Sequence, residues 1–386
     1  MYNILTLNKI SPAGLDHLDP AKYTHSGEMA DPDAIMVRSA KMHDMTFAPN
    51  TMAIARAGAG TNNVPVERCT EEGIVVFNTP GANANAVKEL VLCALLISSR
   101  KVVPGIEFVK TLKGQGAEVG KLVEKGKSAF KGPEIMGKKL GVIGLGAIGV
   151  LVANAAKSLG MEVYGYDPYL SVDAAWHLSS SIHHTKSLDE IFEVSDYITV
   201  HVPLNDSTQD TVNAEAIAKM KDGVRILNFS RGGLVNTADI IEALGSGKVA
   251  AYATDFADDD LIGVPGVIAM PHLGASTPES EDNCARMAAF ELIDYLENGN
   301  IRNSVNMPGA EMNRSGVNRL CVIHKNIPNV LNKITGQFID SNINGFLNRS
   351  KGDIAYTLLD IDAEIPNELL ETIKGIDGVV RARVVK

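Results

Sequence analysis

Residues 138–167 read KKLGVIGLGAIGVLVANAAKSLGMEVYGYD, and no other stretch constrains the fold as tightly. The apolar run 140–143 is long enough for a buried strand. Gly144, Gly146 and Gly149 then form G-x-G-x-x-G. Residues 150–159 follow with helical spacing, and 162–166 make a second apolar strand. Asp167 stands at the end of that strand, at the distance beyond the glycines expected of a ribose-binding acid. Strand, glycine turn, helix, strand and acid in this order are the context a dinucleotide site requires. Gly144 permits the tight turn, Gly146 lets the backbone approach a pyrophosphate, and Gly149 lets the helix pack on the sheet. The helix N-terminus, opened by Ala147 and Ile148, presents unpaired N–H groups to the phosphates. Asp167 accepts hydrogen bonds from the ribose hydroxyls and repels a 2′-phosphate, so the pattern predicts NAD rather than NADP.

A length of 386 residues suggests two or three domains. Apolar content of 45% and charged content of 21% are those of an ordinary globular protein. A net charge of −10 argues against general binding to nucleic acid or to anionic membranes. It leaves room for an anionic substrate in a local basic pocket. Cys69, Cys93, Cys284 and Cys321 have no metal-ligand or redox-motif spacing and are expected to fill core space. The N-terminus is too short and polar for a signal peptide, and the longest apolar run, 90–97, is far below a membrane span. The cytoplasm is the expected compartment, with no metal.

Along the chain, candidate strands at 2–7, 35–38, 52–55 and 74–78 alternate with helical patterns, and 84–100 reads as a strong buried helix. Such alternation implies a mainly parallel sheet covered on both faces. Residues 101–136 are rich in Lys and Gly. They predict a crossing helix near 104–113 and then a solvated loop. Beyond Asp167, candidate strands at 197–201, 225–228, 250–255 and 267–269 complete a doubly wound sheet. His201, Ser230, Arg231, the 255–260 acids and His272 fall near the carboxyl ends of those strands, where ligands bind. A long amphipathic helix over 277–298 is expected to cross back and finish the first domain. Residues 307–316 form a polar linker. The C-terminal stretch 317–386 reads strand–helix–strand–strand–helix–strand, the ferredoxin-like order. The fold class is therefore α/β. A Rossmann domain (99–283) is inserted in a flavodoxin-like substrate domain (1–98 and 284–306), with a cleft between them, and a ferredoxin-like domain follows over 317–386. Gly245, Ser246, Gly247 and Lys248 look like a phosphate loop without its spacing and read as a helix end. His183 and His184 lack partners for a metal and read as surface.

These motifs give the chain a resemblance to the D-2-hydroxyacid dehydrogenases, and within them to the branch that carries a C-terminal ACT domain. The resemblance rests on VRSA (37–40), ARAGAGTNNV (55–64), FNTPGANANAVKEL (77–90), GLGAIG (144–149), HVPLNDST (201–208), NFSRGGLVN (228–236), ATDF (253–256) and PHLGAST (271–277). The C-terminal likeness rests on RLCVIHKNIPNVL (319–331) and SNIN (341–344). It implies oxidation of a phosphorylated 2-hydroxy acid, 3-phosphoglycerate, with NAD, as the first step of serine synthesis. His272 then matches the general acid/base, whose ordinary pKa near 6.5 suits proton exchange near neutrality. Arg231 matches the arginine that holds the substrate carboxylate through its planar fork. The family's third member is a Glu paired with the His. Counted on from Arg231, its place here falls on Asp260, with Asp258 and Asp259 as alternatives. Arg38, Ser39, Arg56 and Asn83 occupy substrate-loop positions, and the N–H groups of Ala57, Gly58 and Ala59 are expected to cradle a carboxylate. His201, Pro203, Thr208, Phe229, Ser230 and Asp255 match positions that line the cofactor.

The C-terminal likeness implies an L-serine effector held by His324, Asn326 and Asn344, usually between two subunits, and a homodimer or homotetramer. Asn329 stands where ACT domains usually have Gly, and Asn tolerates a positive φ better than most residues. Two other readings stay open. One is another enzyme of the class, a glyoxylate, hydroxypyruvate or D-lactate reductase. The other is a non-enzymatic NAD-sensing scaffold.

Overall fold

The computed structural model describes residues 1–316 and 318–386, so Val317, the expected start of the C-terminal domain, lies outside the described residues. The chain divides into two compact units, Met1–Asn83 with Pro278–Lys386, and Ala84–Thr277. The first division therefore falls at 83/84, not 98/99, because the Ala84–Arg100 helix packs its Val87, Val91 and Leu95 into the core of the second unit.

The first unit begins with five parallel strands: β1 (Tyr2–Leu7), β2 (Tyr23–Ser26), β3 (Ala34–Val37), β4 (Ala53–Arg56) and β5 (Val75–Asn78). Their order is β2-β1-β3-β4-β5, the flavodoxin-like order. The second unit holds seven: β6 (Lys139–Ile143), β7 (Glu162–Tyr166), β8 (His183–His184), β9 (Tyr197–Val200), β10 (Val224–Asn228), β11 (Val249–Thr254) and β12 (Val267–Ala269). All pair in parallel, in the order β12-β11-β10-β9-β6-β7-β8. The order reverses between β6 and β9, so the carboxyl ends of these two strands mark the ligand-binding crevice of a Rossmann sheet. The predicted loop after 113 instead carries a helix, Val119–Gly126, between two short 3₁₀ turns.

The C-terminal sheet is antiparallel. It consists of β13 (Asn318–Lys325), β14 (Ile343–Lys351), β15 (Ile354–Ile361) and β16 (Val379–Val385), in the ferredoxin-like order β14-β15-β13-β16. One face, with Leu320, Val322, Leu359 and Ile361, packs on the helices Val330–Thr335 and Asn367–Lys374. The opposite face, with Cys321, Ile323, Tyr356 and Leu358, joins the same core as Leu292, Tyr295 and Leu296 of the Pro278–Asn298 helix. A helix leaves its last four carbonyls without partners. Here the sheet supplies donors. Arg383 donates to the carbonyls of Tyr295 and Leu296, and Arg319 Nη1 reaches Asn298 at 2.8 Å. Tyr356 Oη reaches Gly299 at 2.6 Å. Cations at a helix C-terminus also complement its dipole.

Asn329 has φ +71° and opens the Val330–Thr335 helix, the left-handed geometry expected of it. Residues 245–248 are a helix end, as read, with Gly247 at φ +78° as its cap. Cys69, Cys284 and Cys321 are buried, whereas Cys93 is exposed. Among the described residues, no helix is long and apolar enough to cross a membrane.

Candidate active site

In the second unit the glycine turn is built as the sequence requires. Gly144 has φ +91°, and a Cβ there would lie 2.6 Å from the His201 carbonyl. A Cβ on Gly149 would overlap the Gly144 carbonyl, so only glycine lets the Ala147–Ser158 helix start this close to β6. A Cβ on Gly146 would meet nothing within 4 Å, which leaves the approach to the helix N-terminus clear. The Gly146 carbonyl accepts from Val150 N–H, so the N–H groups ahead of it, those of Ala147 and Ile148 included, have no intrahelical acceptor. Asp167 Oδ2 accepts from Leu145 N–H and Oδ1 from Tyr169 N–H, both at 2.8 Å. Those bonds fix the carboxylate at the end of β7 and leave lone pairs for a diol. A pyrophosphate and a ribose therefore fit the residues present.

His201 follows β9. Its Nε2 lies 2.9 Å from Thr199 Oγ1, and its buried Nδ1 has no partner among the described residues. Burial pushes its pKa down to about 4, so the ring is neutral. Thr208 Oγ1 donates to the Pro203 carbonyl at 2.6 Å and shapes an exposed loop. Phe229 departs from expectation. Its side chain is buried in the core with Leu227 and Ala253.

The chemistry-bearing side chains gather at the ends of β10, β11 and β12. Arg231 is exposed, with Nη1 donating to the Ser230 carbonyl at 2.7 Å. His272 is exposed, with its ring 4.7 Å from that of Phe256. Asp255 is only 3% exposed, and its Oδ2 accepts from Gly274 N–H at 3.2 Å. Its Oδ1 is buried without a partner among the described residues. Burial pushes the Asp255 carboxyl above its ordinary pKa, against the opposing pull of His272, the Gly274 N–H and Arg231. The expected pairing of Asp260 with His272 is not made. Asp260 is exposed, and among the described residues no carboxylate lies within ion-pair distance of His272. Asp258 is committed elsewhere, accepting from Thr237 Oγ1 and Leu261 N–H. Asp255 is the buried carboxylate whose charge reaches both His272 and Arg231.

In the first unit, Arg38 and Arg56 stand at neighbouring strand ends, because Val37 pairs with Arg56. Arg56 Nε donates to the Arg38 carbonyl at 3.1 Å, and Arg38 Nη2 meets Glu281 Oε1 at 2.8 Å. Two of the three N–H groups expected to cradle a carboxylate are already used. Ala57 N–H donates to Val37 and Gly58 N–H to Arg56, each at 2.8 Å, which leaves Ala59. Ser39 N–H is likewise taken, by Asn8 Oδ1 at 3.0 Å. Asn83 is half-buried at the end of the unit's first segment.

The expected effector residues do not converge within one chain. His324 is buried, with Nδ1 2.9 Å from the Lys325 carbonyl and Nε2 2.9 Å from Thr357 Oγ1. No ring nitrogen is left for a ligand. Asn326 bonds to Gly352 beside the 351–354 turn, whereas Asn344 bonds to Ser315 and Asp362 at the far end of β15. The length of β15 separates them, roughly 20 Å at about 3.3 Å per residue.

Sequence reasoning passed over the residues that hold these loops. Asn228 is 1% exposed, with Nδ2 donating to the Arg231 carbonyl at 2.9 Å and Oδ1 accepting from Ser230 N–H at 3.2 Å. The signal available was an Asn at a strand end, where its side chain can imitate backbone.

Comparison with known proteins agrees with this geometry. Residues 94–274 match the D-isomer specific 2-hydroxyacid dehydrogenase NAD binding domain. The chain is 34% identical over 351 residues to D-3-phosphoglycerate dehydrogenase of Haemophilus influenzae, covering 87% of this chain and 82% of that one. It is 38% identical over 276 residues to hydroxypyruvate reductase of Thermotoga maritima, covering 68% and 83%. The crystal structure of NAD+-bound 3-phosphoglycerate dehydrogenase of Entamoeba histolytica superimposes with a TM-score of 0.61 at 25% identity, over 79% of this chain and 98% of that one. The glycine turn, the parallel sheet order and these relatives agree: the chain belongs to the D-isomer specific 2-hydroxyacid dehydrogenases, NAD-dependent oxidoreductases.

Proposed function

We propose that the chain oxidises D-3-phosphoglycerate to 3-phosphooxypyruvate with NAD, the first step of L-serine biosynthesis. The observation that carries this reading is the pair of arginines, Arg38 and Arg56, at adjacent strand ends of the first unit. A substrate with a phosphate as well as a carboxylate needs cations beyond Arg231. The Gly144–Gly149 turn and Asp167 would hold NAD, which would supply the hydride acceptor. His272 takes the proton of the C2 hydroxyl and returns it in the reverse direction. Arg231 holds the carboxylate and polarises the C2 oxygen. Asp255 fixes the His272 segment through Gly274 N–H and places negative charge near the ring that gains a proton. Asp167 selects NAD by accepting from the ribose hydroxyls.

The second reading, a hydroxypyruvate reductase, is favoured by the likeness to the Thermotoga enzyme. NADH formation across 3-phosphoglycerate, D-glycerate, glycolate and D-lactate separates the two. The highest kcat/KM is expected with 3-phosphoglycerate, and an equal or higher value with D-glycerate sinks the reading.

The C-terminal sheet is an ACT-type module, and L-serine is its effector, bound where two copies meet. One serine is far shorter than the separation of Asn326 and Asn344 in a single chain, so a site using both needs a second copy. The chain is therefore a homodimer or homotetramer. Serine should inhibit, and Asn344→Ala should abolish that inhibition. Inhibition that survives the substitution would place the effector elsewhere.

A further inference from the structure

We propose that Glu281 sets how strongly the enzyme discriminates phosphorylated from unphosphorylated substrates, by competing with the substrate phosphate for Arg38. This inference rests on the reading of Arg38 as a phosphate-binding residue. Arg38 lies one residue beyond β3, and Arg56 ends β4 beside it. Arg56 Nε donates to the Arg38 carbonyl at 3.1 Å, so the main chain carrying Arg38 is held from its neighbour. The Arg38 guanidinium is then directed to Glu281 in the first turn of the Pro278–Asn298 helix, with Nη2 to Oε1 at 2.8 Å.

Both side chains are about two-fifths exposed, 39% and 41%. A pair this open to water is weak and exchanges readily, so it does not lock Arg38 permanently. It is instead an internal occupant that an incoming anion has to displace. A phosphate carries more negative charge than a single carboxylate and can engage the guanidinium bidentately as well, so it competes effectively for the contact. The displaced Glu281 carboxylate remains nearby and repels the dianion. An unphosphorylated acid never challenges the pair and does not meet this cost. Glu281 therefore weakens binding of phosphorylated substrates selectively.

The test compares steady-state kinetics of the full chain with 3-phosphoglycerate and with D-glycerate, for wild type, Glu281→Gln, Arg38→Met and the double variant. Gln keeps the shape of Glu and removes its charge at a solvent-accessible position, so the fold is retained. Glu281→Gln is expected to lower KM for 3-phosphoglycerate roughly 3- to 10-fold, since an exposed pair is worth up to about 5-fold and a like charge beside a dianion adds to it. The ratio of kcat/KM values, 3-phosphoglycerate over D-glycerate, rises by the same factor. On the Arg38→Met background the substitution has no such effect. An unchanged or higher KM for 3-phosphoglycerate overturns the inference. So does an equal change for both substrates, or an effect that persists without Arg38. A wild-type enzyme with no preference for 3-phosphoglycerate is a different result: it removes the proposed function, and this inference with it.

Discussion

Replacing Asp360 by Asn removes one charge from a pair that water does not reach. The Arg319 and Asp360 side chains are 0% and 1% exposed. Arg319 Nε and Nη2 donate to Asp360 Oδ1 and Oδ2 at 2.6 and 2.8 Å, a bidentate pair. The remaining valences are filled. Arg319 Nη1 reaches the carbonyls of Asn298 and Met312, both at 2.8 Å, and Asp360 Oδ2 accepts from Ser315 N–H at 2.7 Å. An Asn at 360 keeps the volume and still accepts from Ser315, so packing barely changes. What changes is that a buried guanidinium loses its counter-charge. Breaking a buried pair in this way costs about 3–5 kcal/mol. The Lys22–Glu297 pair, by contrast, is open to water and should contribute far less. The assay is urea unfolding read by hydrogen exchange at β13 and β15, because a chain of two units need not unfold in one step. Arg319→Met should cost at least as much as Asp360→Asn, because it also strips the Asn298 and Met312 carbonyls of their donor, and the apolar double replacement Arg319→Met with Asp360→Leu should cost less than the sum of the singles. A cost for Asp360→Asn below about 1 kcal/mol, or a double variant equal to the sum of the singles, refutes this account. Burial pushes the Asp360 carboxyl up, but the Arg319 bonds, the Ser315 N–H and the Arg319 charge outweigh it, so its pKa is lowered. The stabilisation is therefore present above the unfolded carboxyl pKa of about 4 and lost as pH falls through the lower folded value.

Three further outcomes are expected. His272→Ala should lower kcat by roughly 10²–10⁴ while NADH binding, read by fluorescence, persists; Asp255→Asn should lower kcat more than Asp260→Asn, and the reverse order would restore Asp260 as the acid. Asp167→Ala should narrow the preference for NAD over NADP in kcat/KM, whereas a wild type that prefers NADP would contradict the role of Asp167. Glu291 is 5% exposed, and burial pushes its pKa up to about 8 despite the Asn303 hydrogen bond and the charge of Arg302. The folded state then keeps a proton that the unfolded chain releases above about 4.5, so stability should fall as pH rises from 5 to 8, by roughly 1 kcal/mol per unit. Glu291→Gln should flatten that fall in a urea titration at several pH values, and an unchanged slope would exclude Glu291 as its source.

The dinucleotide unit was legible because its geometry is enforced by glycines that no other residue replaces. Gly144 needs positive φ and Gly149 has no room for a Cβ, so the pattern carries its own three-dimensional meaning. The parallel sheets followed from the alternation of strand and helix. The strands that escaped, β2 and β8, are short and mostly exposed, so they carry no apolar signature. Spacing alone could not place side chains whose direction depends on tertiary contacts. Asp260 sits at the family's distance from Arg231, yet the turn is fixed by Asp258 capping Leu261 N–H, and Asp260 is left in solvent. His324 belongs to a motif, but it occupies an inward position of its strand and is consumed by Thr357 and Lys325. Asn326 and Asn344 are close in sequence, but the Val330–Thr335 helix between them carries the chain back along the sheet, so they stand at opposite ends of it.

The loops that carry the proposed substrate-binding and catalytic residues share one device, and it explains why their supports were less legible than their contents. Each leaves the carboxyl end of a parallel strand, where N–H and C=O groups lose their ladder partners and must find others. In three cases an Asn supplies them. Asn8 Oδ1, on a residue with φ +68°, accepts from the N–H groups of Ser39 and Ala40 beside Arg38. Asn78 Nδ2 donates to the Ala59 carbonyl at 2.6 Å, fixing the residue whose N–H stays available in the 57–59 loop. Asn228 bridges Ser230 and Arg231. An amide side chain suits this work because it offers a donor and an acceptor without a charge that would compete with the substrate's anions. Asp in these places would repel a carboxylate or phosphate, and Ser would reach only one group at a time. Such residues carry no reactive chemistry, so a pattern of acids, bases and cations does not include them, although they hold the backbone of the loops that carry the proposed site residues.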